Sequence, residues 1–240
     1  MPWSHSTCGR RKNLLEQRPG SDATVWTPSA TDASHIGSGL RTLWRAGAIV
    51  LILFLFALGL SGGYLLYLTA TDNFHEVVPR QVYRSGQMSP HSLARTIPRY
   101  GIRTVLNLRG ADGASSWYGA ETNLCRQLGV RHLDYALSAN REATDQELDS
   151  LMALIQSSPK PILIHCRAGA DRAGLISALC RYVQVSDSAS EAGTQLSFRY
   201  AHFPHLFWRG TQAMDRSYAR YVSHHGNGIA HAVKSIHSAG

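Results

Sequence analysis

The run Ile162-Leu163-Ile164-His165-Cys166-Arg167-Ala168-Gly169-Ala170-Asp171-Arg172-Ala173-Gly174 puts a thiol, a glycine and a guanidinium within one short stretch. Pro161–His165 reads as a buried strand, because it is short, apolar and bounded by breakers. A glycine-containing loop follows, and a helix starts at about Asp171. A loop between a strand end and a helix start can turn successive backbone N–H groups inward as an anion nest, with the helix dipole behind it. Cys166 stands where that positive potential is greatest, an environment that favours the thiolate. Arg172, six residues on, can present two donors of its planar fork to a phosphoryl group. Arg167, Ala168, Gly169, Ala170, Asp171 and Arg172 would line the bound anion, and Gly169 would let the backbone turn tightly around it. Cys and Arg at this spacing occur by chance in many proteins. The preceding His165, the strand–loop–helix context and the mid-loop Gly169 distinguish this pair.

The elements needed to hold such a loop can be read around it. Val82–Arg84 is a short strand, Pro90–Arg99 a helix, and Ile102–Leu108 a buried strand. Trp117–Leu128 is a helix ending at Gly129, and Val130–Leu137 another strand. Thr144–Gln156 is an amphipathic helix whose Thr144 and Glu147 have capping-box spacing. Helices are expected at Asp171–Val185, Ser188–Tyr200 and His205–Val222. This alternation predicts an α/β fold, a mostly parallel central sheet flanked by helices.

The 240 residues have room for one ordinary domain and an appendage. A net charge of +8 and a pI near 9.6 favour an anionic partner. No basic run with interleaved aromatics is present, so nucleic acid is not expected. Cys8, Cys125, Cys166 and Cys180 show no CxxC spacing, and the twelve histidines form no HExxH pair, so neither a zinc site nor another cofactor is called for.

Residues 1–45 are polar and basic and read as a disordered tail. Residues 46–68, AGAIVLILFLFALGLSGGYLLYL, carry no charge and are long enough for one transmembrane helix. Arg41 and Arg45 precede this span and Asp72 and Glu76 follow it, which puts the tail in the cytoplasm and the domain outside. For a bacterial inner membrane that means a periplasmic domain, although Arg80 and Arg84 weaken the asymmetry. The domain is expected at 74–225, with a flexible tail at 226–240.

HCRAGADRAG resembles the H-C-x5-R signature of the protein tyrosine and dual-specificity phosphatase superfamily. YRSGQMS, GIRTVLNLRG and LSANRE extend the likeness over roughly Val82 to Tyr221, toward bacterial dual-specificity-type members. The resemblance implies that Cys166 attacks phosphorus and forms a phosphocysteine, that Arg172 and the loop amides hold the equatorial oxygens, and that water then releases phosphate. It implies no metal. Members usually carry Ser or Thr after the arginine, to assist thiolate departure, where this chain has Ala173. They also supply an acid to the leaving oxygen. Asp171, placed as in the similar loop of myotubularin lipid phosphatases, Glu142 and Asp145 all qualify, and Asp145 could equally serve the helix dipole. Arg109 is a candidate for the site rim or a solvated surface charge.

The substrates implied are phosphotyrosine or another phosphoprotein, a phospholipid or an inositol phosphate. Ala173 leaves room for a membrane-tethered phosphate-binding pseudophosphatase. A rhodanese-type sulfurtransferase also uses a cysteine in an anion-binding loop, but the arginine at this spacing disfavours it. An oxidising compartment would expose a thiolate to oxidation, and Cys125 or Cys180 are the cysteines that could pair with it.

Overall fold

The computed structural model describes residues 30–203 and 209–237, with side chains for 43–203 and 211–226. The chain divides into two compact units, Met1–Phe56 and Ala57–Gly240. Helix α1, Ala30–Ala70, runs through the junction and contains a stretch, Leu43–Ala70, long and apolar enough to cross a bilayer. Within the first unit its apolar side chains, Ile49, Leu51, Phe54 and Phe56 among them, are exposed. An isolated helix with so much exposed apolar surface is costly in water.

The second unit holds a five-stranded sheet of four-residue strands. These are β1 His75–Val78, β2 Val82–Ser85, β3 Thr104–Asn107, β4 Arg131–Asp134 and β5 Ile162–His165. Their order is β1-β2-β5-β3-β4, with β1 antiparallel to β2 and the other pairs parallel. The inner strands β2, β3 and β5 are buried on both faces, and β5, Ile-Leu-Ile-His, accordingly reads as a near-continuous apolar run. Alternation splits their side chains between two cores. Tyr83, Val105 and Leu163 pack with Leu93 and Ile97 of α2, Pro90–Tyr100, and Cys125 of α3, Ser116–Gln127. Val82, Leu106 and Ile164 pack with α4, Asp145–Ser157, with α5, Asp171–Cys180, and with the later helices.

Helix α4 carries the expected capping box of Thr144 and Glu147. Beyond Cys180 the elements differ from expectation. A π-type turn, Arg181–Val185, replaces the last turns of the expected helix. The segment expected as Ser188–Tyr200 is a five-residue helix α6, Ala189–Gly193, with a 3-10 turn at Phe198–Tyr200. The final helix α7 is Arg209–His237, and residues 204–208 lie outside the description. The tail expected from 226 is therefore helical through His237, since extending a formed helix costs little once packing has nucleated it. Helix α1 starts at Ala30, within the expected disordered tail, because it continues the long apolar helix by adding one backbone bond per residue, and residues 1–29 lie outside the description. Strand β1 was not anticipated.

Candidate active site

Central strand β5 ends at His165, and Cys166 opens the loop that leads into α5, with 3% of its surface exposed. Four successive loop carbonyls accept hydrogen bonds from behind. The amide of Gln87 donates to Arg167 O at 3.0 Å, and Asn73 Nδ2 donates to Ala168 O at 3.0 Å. The Arg84 guanidinium donates to Gly169 O at 2.6 Å and Ala170 O at 3.1 Å. With the carbonyls drawn outward, the intervening amides face the other way. These are the amides of Ala168 to Asp171, and neither they nor the Arg167 amide donate to a protein acceptor among the described residues. This is the arrangement of an anion nest.

Gly169 has a φ of 74°, and a Cβ there would lie 2.5 Å from the amide nitrogen of Gly86. The loop thus requires glycine both for its backbone conformation and for its approach to the end of β2. Arg84 is fully buried, bonded also to Gln195 and stacked on the Tyr200 ring at 4.2 Å. Burial lowers its pKa to about 10, against the favourable influence of Tyr200, Cys166 and Asp171. At neutral pH it is a fixed cation beneath the loop. Sequence reading weighed Arg84 only as a membrane-flanking charge. A lone arginine in an apolar strand was the signal available.

Arg172 is anchored through one nitrogen, which donates to Leu108 O and Leu137 O, each at 3.2 Å. Its Nε and second terminal nitrogen have no partner among the described residues. Arg109 stacks over Trp117 at 3.7 Å and donates to Gln87 Oε1 at 3.1 Å. Burial, then the charges of Arg172 and Arg167, lower its pKa, so the three arginines share one neighbourhood.

Under the loop lies a polar network that sequence reading missed. Glu121, 4% exposed on α3, meets His165 Nε2 at 3.0 Å and His132 Nε2 at 2.9 Å, and accepts from Gln87 Nε2 at 2.6 Å. Burial alone would raise its pKa, but the bonds from His132 and His165 carry it down to about 2. A glutamate on the buried face of an otherwise ordinary helix was the only sign in the sequence.

The three acid candidates have different surroundings. Glu142 accepts from Arg216 at 2.5 Å and Arg220 at 2.7 Å, and the Arg216 bond chiefly lowers its pKa. Asp145 bonds His224 at 2.5 Å and Arg220 at 3.2 Å, and the His224 bond chiefly lowers its pKa. Asp171, at the start of α5, bonds only through Oδ1 among the described residues, to His202 Nδ1 at 2.7 Å. His202 is fully buried, and its Nε2 meets Asp215 of α7 at 3.1 Å. Burial opposes its charge, but the Asp171 and Asp215 bonds raise its pKa.

Cys125 and Cys180 are buried free thiols, each pushed up to about 12 chiefly by burial, and are unreactive there. Cys8 lies outside the described residues. Ala173 is fully buried in the core behind the loop.

The sequence model of the family described as a DSP-PTPase phosphatase fused to NAD+ kinase matches residues 68–206. Among solved structures, TpbA of P. aeruginosa is similar at 22% identity, covering 64% of this chain and 92% of that one, with a TM-score of 0.49. The core catalytic domain of the PP-IP phosphatase SIW14 from S. cerevisiae is similar at 22% identity over 64% and 93%, with a TM-score of 0.49. No curated protein matches the chain.

Proposed function

The chain belongs to the DSP-PTPase family described as fused to NAD+ kinase and is a tyrosine/dual-specificity-type phosphatase. From that premise we propose that it works through a phosphocysteine on Cys166. The thiolate attacks phosphorus in line, an S–P bond forms, and the P–O bond to the leaving group breaks. Arg172 and the amides of Arg167 to Ala170 hold the equatorial oxygens. Water then breaks the S–P bond, which releases phosphate and restores the thiolate.

Asp171 is our choice for protonating the leaving oxygen. Glu142 has both carboxylate oxygens engaged by Arg216 and Arg220, and Asp145 has both engaged by Arg220 and His224, so neither keeps an oxygen free to carry a proton to the leaving group. The Asp171 carboxyl is steadied by His202 yet keeps Oδ2 outside that bond. The observation that carries this reading is the loop, with four carbonyls tied back and its amides left to an anion.

We also take the apolar part of α1 as a single membrane span, with the catalytic domain on its C-terminal side. The charge asymmetry around that span favours an extracytoplasmic domain.

The test is hydrolysis of an aryl phosphate by the full chain in detergent with EDTA present, beside Cys166→Ser. Activity that survives EDTA and disappears in the variant is the expected result. A folded wild type that binds phosphate but never turns over would favour the phosphate-binding module, with Ala173 as its cause.

A further inference from the structure

We infer, resting on the phosphatase and membrane-span readings above, that the substrate is a phosphate monoester held in the bilayer, as a lipid headgroup, rather than one arriving from solution. The topology brings the membrane helix and the phosphate loop to the same edge of the sheet. Strand β1 runs antiparallel to β2, and its first residue, His75, pairs with Arg84 near the C-terminal end of β2. The chain therefore leaves α1 and enters the sheet from the edge where the parallel strands end. The phosphate loop leaves β5 on that edge. In sheets of this kind ligands bind at the carboxyl ends of the strands.

The connection is short and direct. Helix α1 ends at Ala70, and Asp72 O already accepts from the Gly86 amide at 2.7 Å. One residue later Asn73 Nδ2 bonds Ala168 O of the loop at 3.0 Å and Tyr200 O at 3.0 Å. The candidate span has 28 residues, while about 20 suffice for the roughly 30 Å hydrocarbon core. The surplus belongs to the domain end, where Leu68 is 3% exposed and the Tyr64 hydroxyl donates to Arg199 O at 2.7 Å. From Tyr64 to Ala70 the helix climbs about 10 Å, little more than one headgroup layer. The loop then stands at the membrane surface.

Around this edge the exposed groups suit an anionic interface. Tyr64 and Tyr67 stack at 6.3 Å, and Phe198 is 57% exposed beside Arg199. Amphipathic aromatics and arginines of this kind settle at headgroup level. Arg95 and Arg99 line, with Tyr67, Thr71, Ser92 and Asp72, a cavity of about 420 Å3 at the foot of α1.

The experiment places the full chain in phosphatidylcholine nanodiscs doped with anionic phosphatidylglycerol. It compares three phosphates: long-chain phosphatidic acid in the same disc, dihexanoyl phosphatidic acid in solution, and an aryl phosphate. Cys166→Ser is the blank. Confinement with the substrate predicts kcat/KM for the disc-borne ester on the order of a hundredfold above that for its soluble counterpart. In Arg95→Glu/Arg99→Glu the ratio of disc-borne to aryl phosphate turnover falls at least roughly fivefold, since each arginine near an anionic surface contributes about 1 kcal/mol. Turnover of aryl phosphate or a phosphotyrosine peptide without preference for the disc-borne ester overturns the lipid inference alone. No phosphate from any arm overturns the phosphatase reading beneath it. Release of the chain from membranes by alkaline carbonate removes the span and the inference together.

Discussion

At the scale of single residues, Ala173 is the position where this chain departs from the signature it resembles. A hydroxyl beside the thiolate would help it leave the phosphorus, and Ala173 has none. Breakdown of the phosphocysteine should therefore limit the wild type, giving a burst of leaving group in rapid-quench kinetics. Ala173→Ser is expected to shrink the burst and raise the steady rate by roughly tenfold or more, the scale on which one donor at a developing charge acts. Gly169→Ala should do the reverse. Its φ of 74° costs an alanine about 1–2 kcal/mol, and the Cβ strikes the backbone of Gly86 and Ser85. Thermal melting and phosphate binding should both fall, because no flexible side chain can yield there. For Glu121 the sign follows from its lowered pKa. The anion stabilises the fold above about 4.5, and that contribution disappears as pH falls toward about 2. Melting curves of wild type and Glu121→Gln should differ most above pH 4.5 and converge in acid.

At the scale of elements, the loop between β5 and α5 is held by three neighbours that come from distant parts of the chain. Strand β2 supplies Arg84, the segment after α1 supplies Asn73, and the turn after β2 supplies the Gln87 amide. The start of α5 is tied to α7 through Asp171, His202 and Asp215. Because His202 has a raised pKa in the fold, its ion pairs stabilise fully below about 6.5. They are lost as pH rises through the raised value. The difference in melting temperature between wild type and His202→Gln should accordingly narrow as pH rises above about 6.5. A gap that widened with pH would mean the buried imidazole is neutral.

At the scale of the whole molecule, the unit that holds the candidate site begins at Ala57 and so includes the last turns of the apolar helix α1. Leu68 is part of the buried interior, and Asn73 holds both the loop and the Tyr200 turn. A domain cut at residue 74, the boundary suggested by composition, omits both. A fragment starting at Ala57 should keep most of the aryl phosphatase activity of the full chain. One starting at Phe74 should lose roughly tenfold or more and melt lower, since Ala168 O is left unpaired. Equal activity in the two fragments would show that the end of α1 is only a tether.

The amino-acid order by itself carried the parts of this protein that depend on local spacing. The candidate nucleophile Cys166 and Arg172, the glycine between them, the inner strands and the Thr144 capping box are all read within a few residues of one another, as is the 23-residue uncharged run. Periodicity and helix-end chemistry are short-range effects, so they survive without a fold. What the tertiary structure alone decided is long-range. Arg84 lies 85 residues from Gly169 and Asn73 lies 95 from Ala168, and Glu121 meets His165 across 44 positions. No spacing rule links such residues, because their meeting depends on strand order and on the antiparallel entry of β1. The same holds for the acid candidates. Glu142, Asp145 and Asp171 look alike as carboxylates in sequence, and only the arginines and histidines folded against them set them apart.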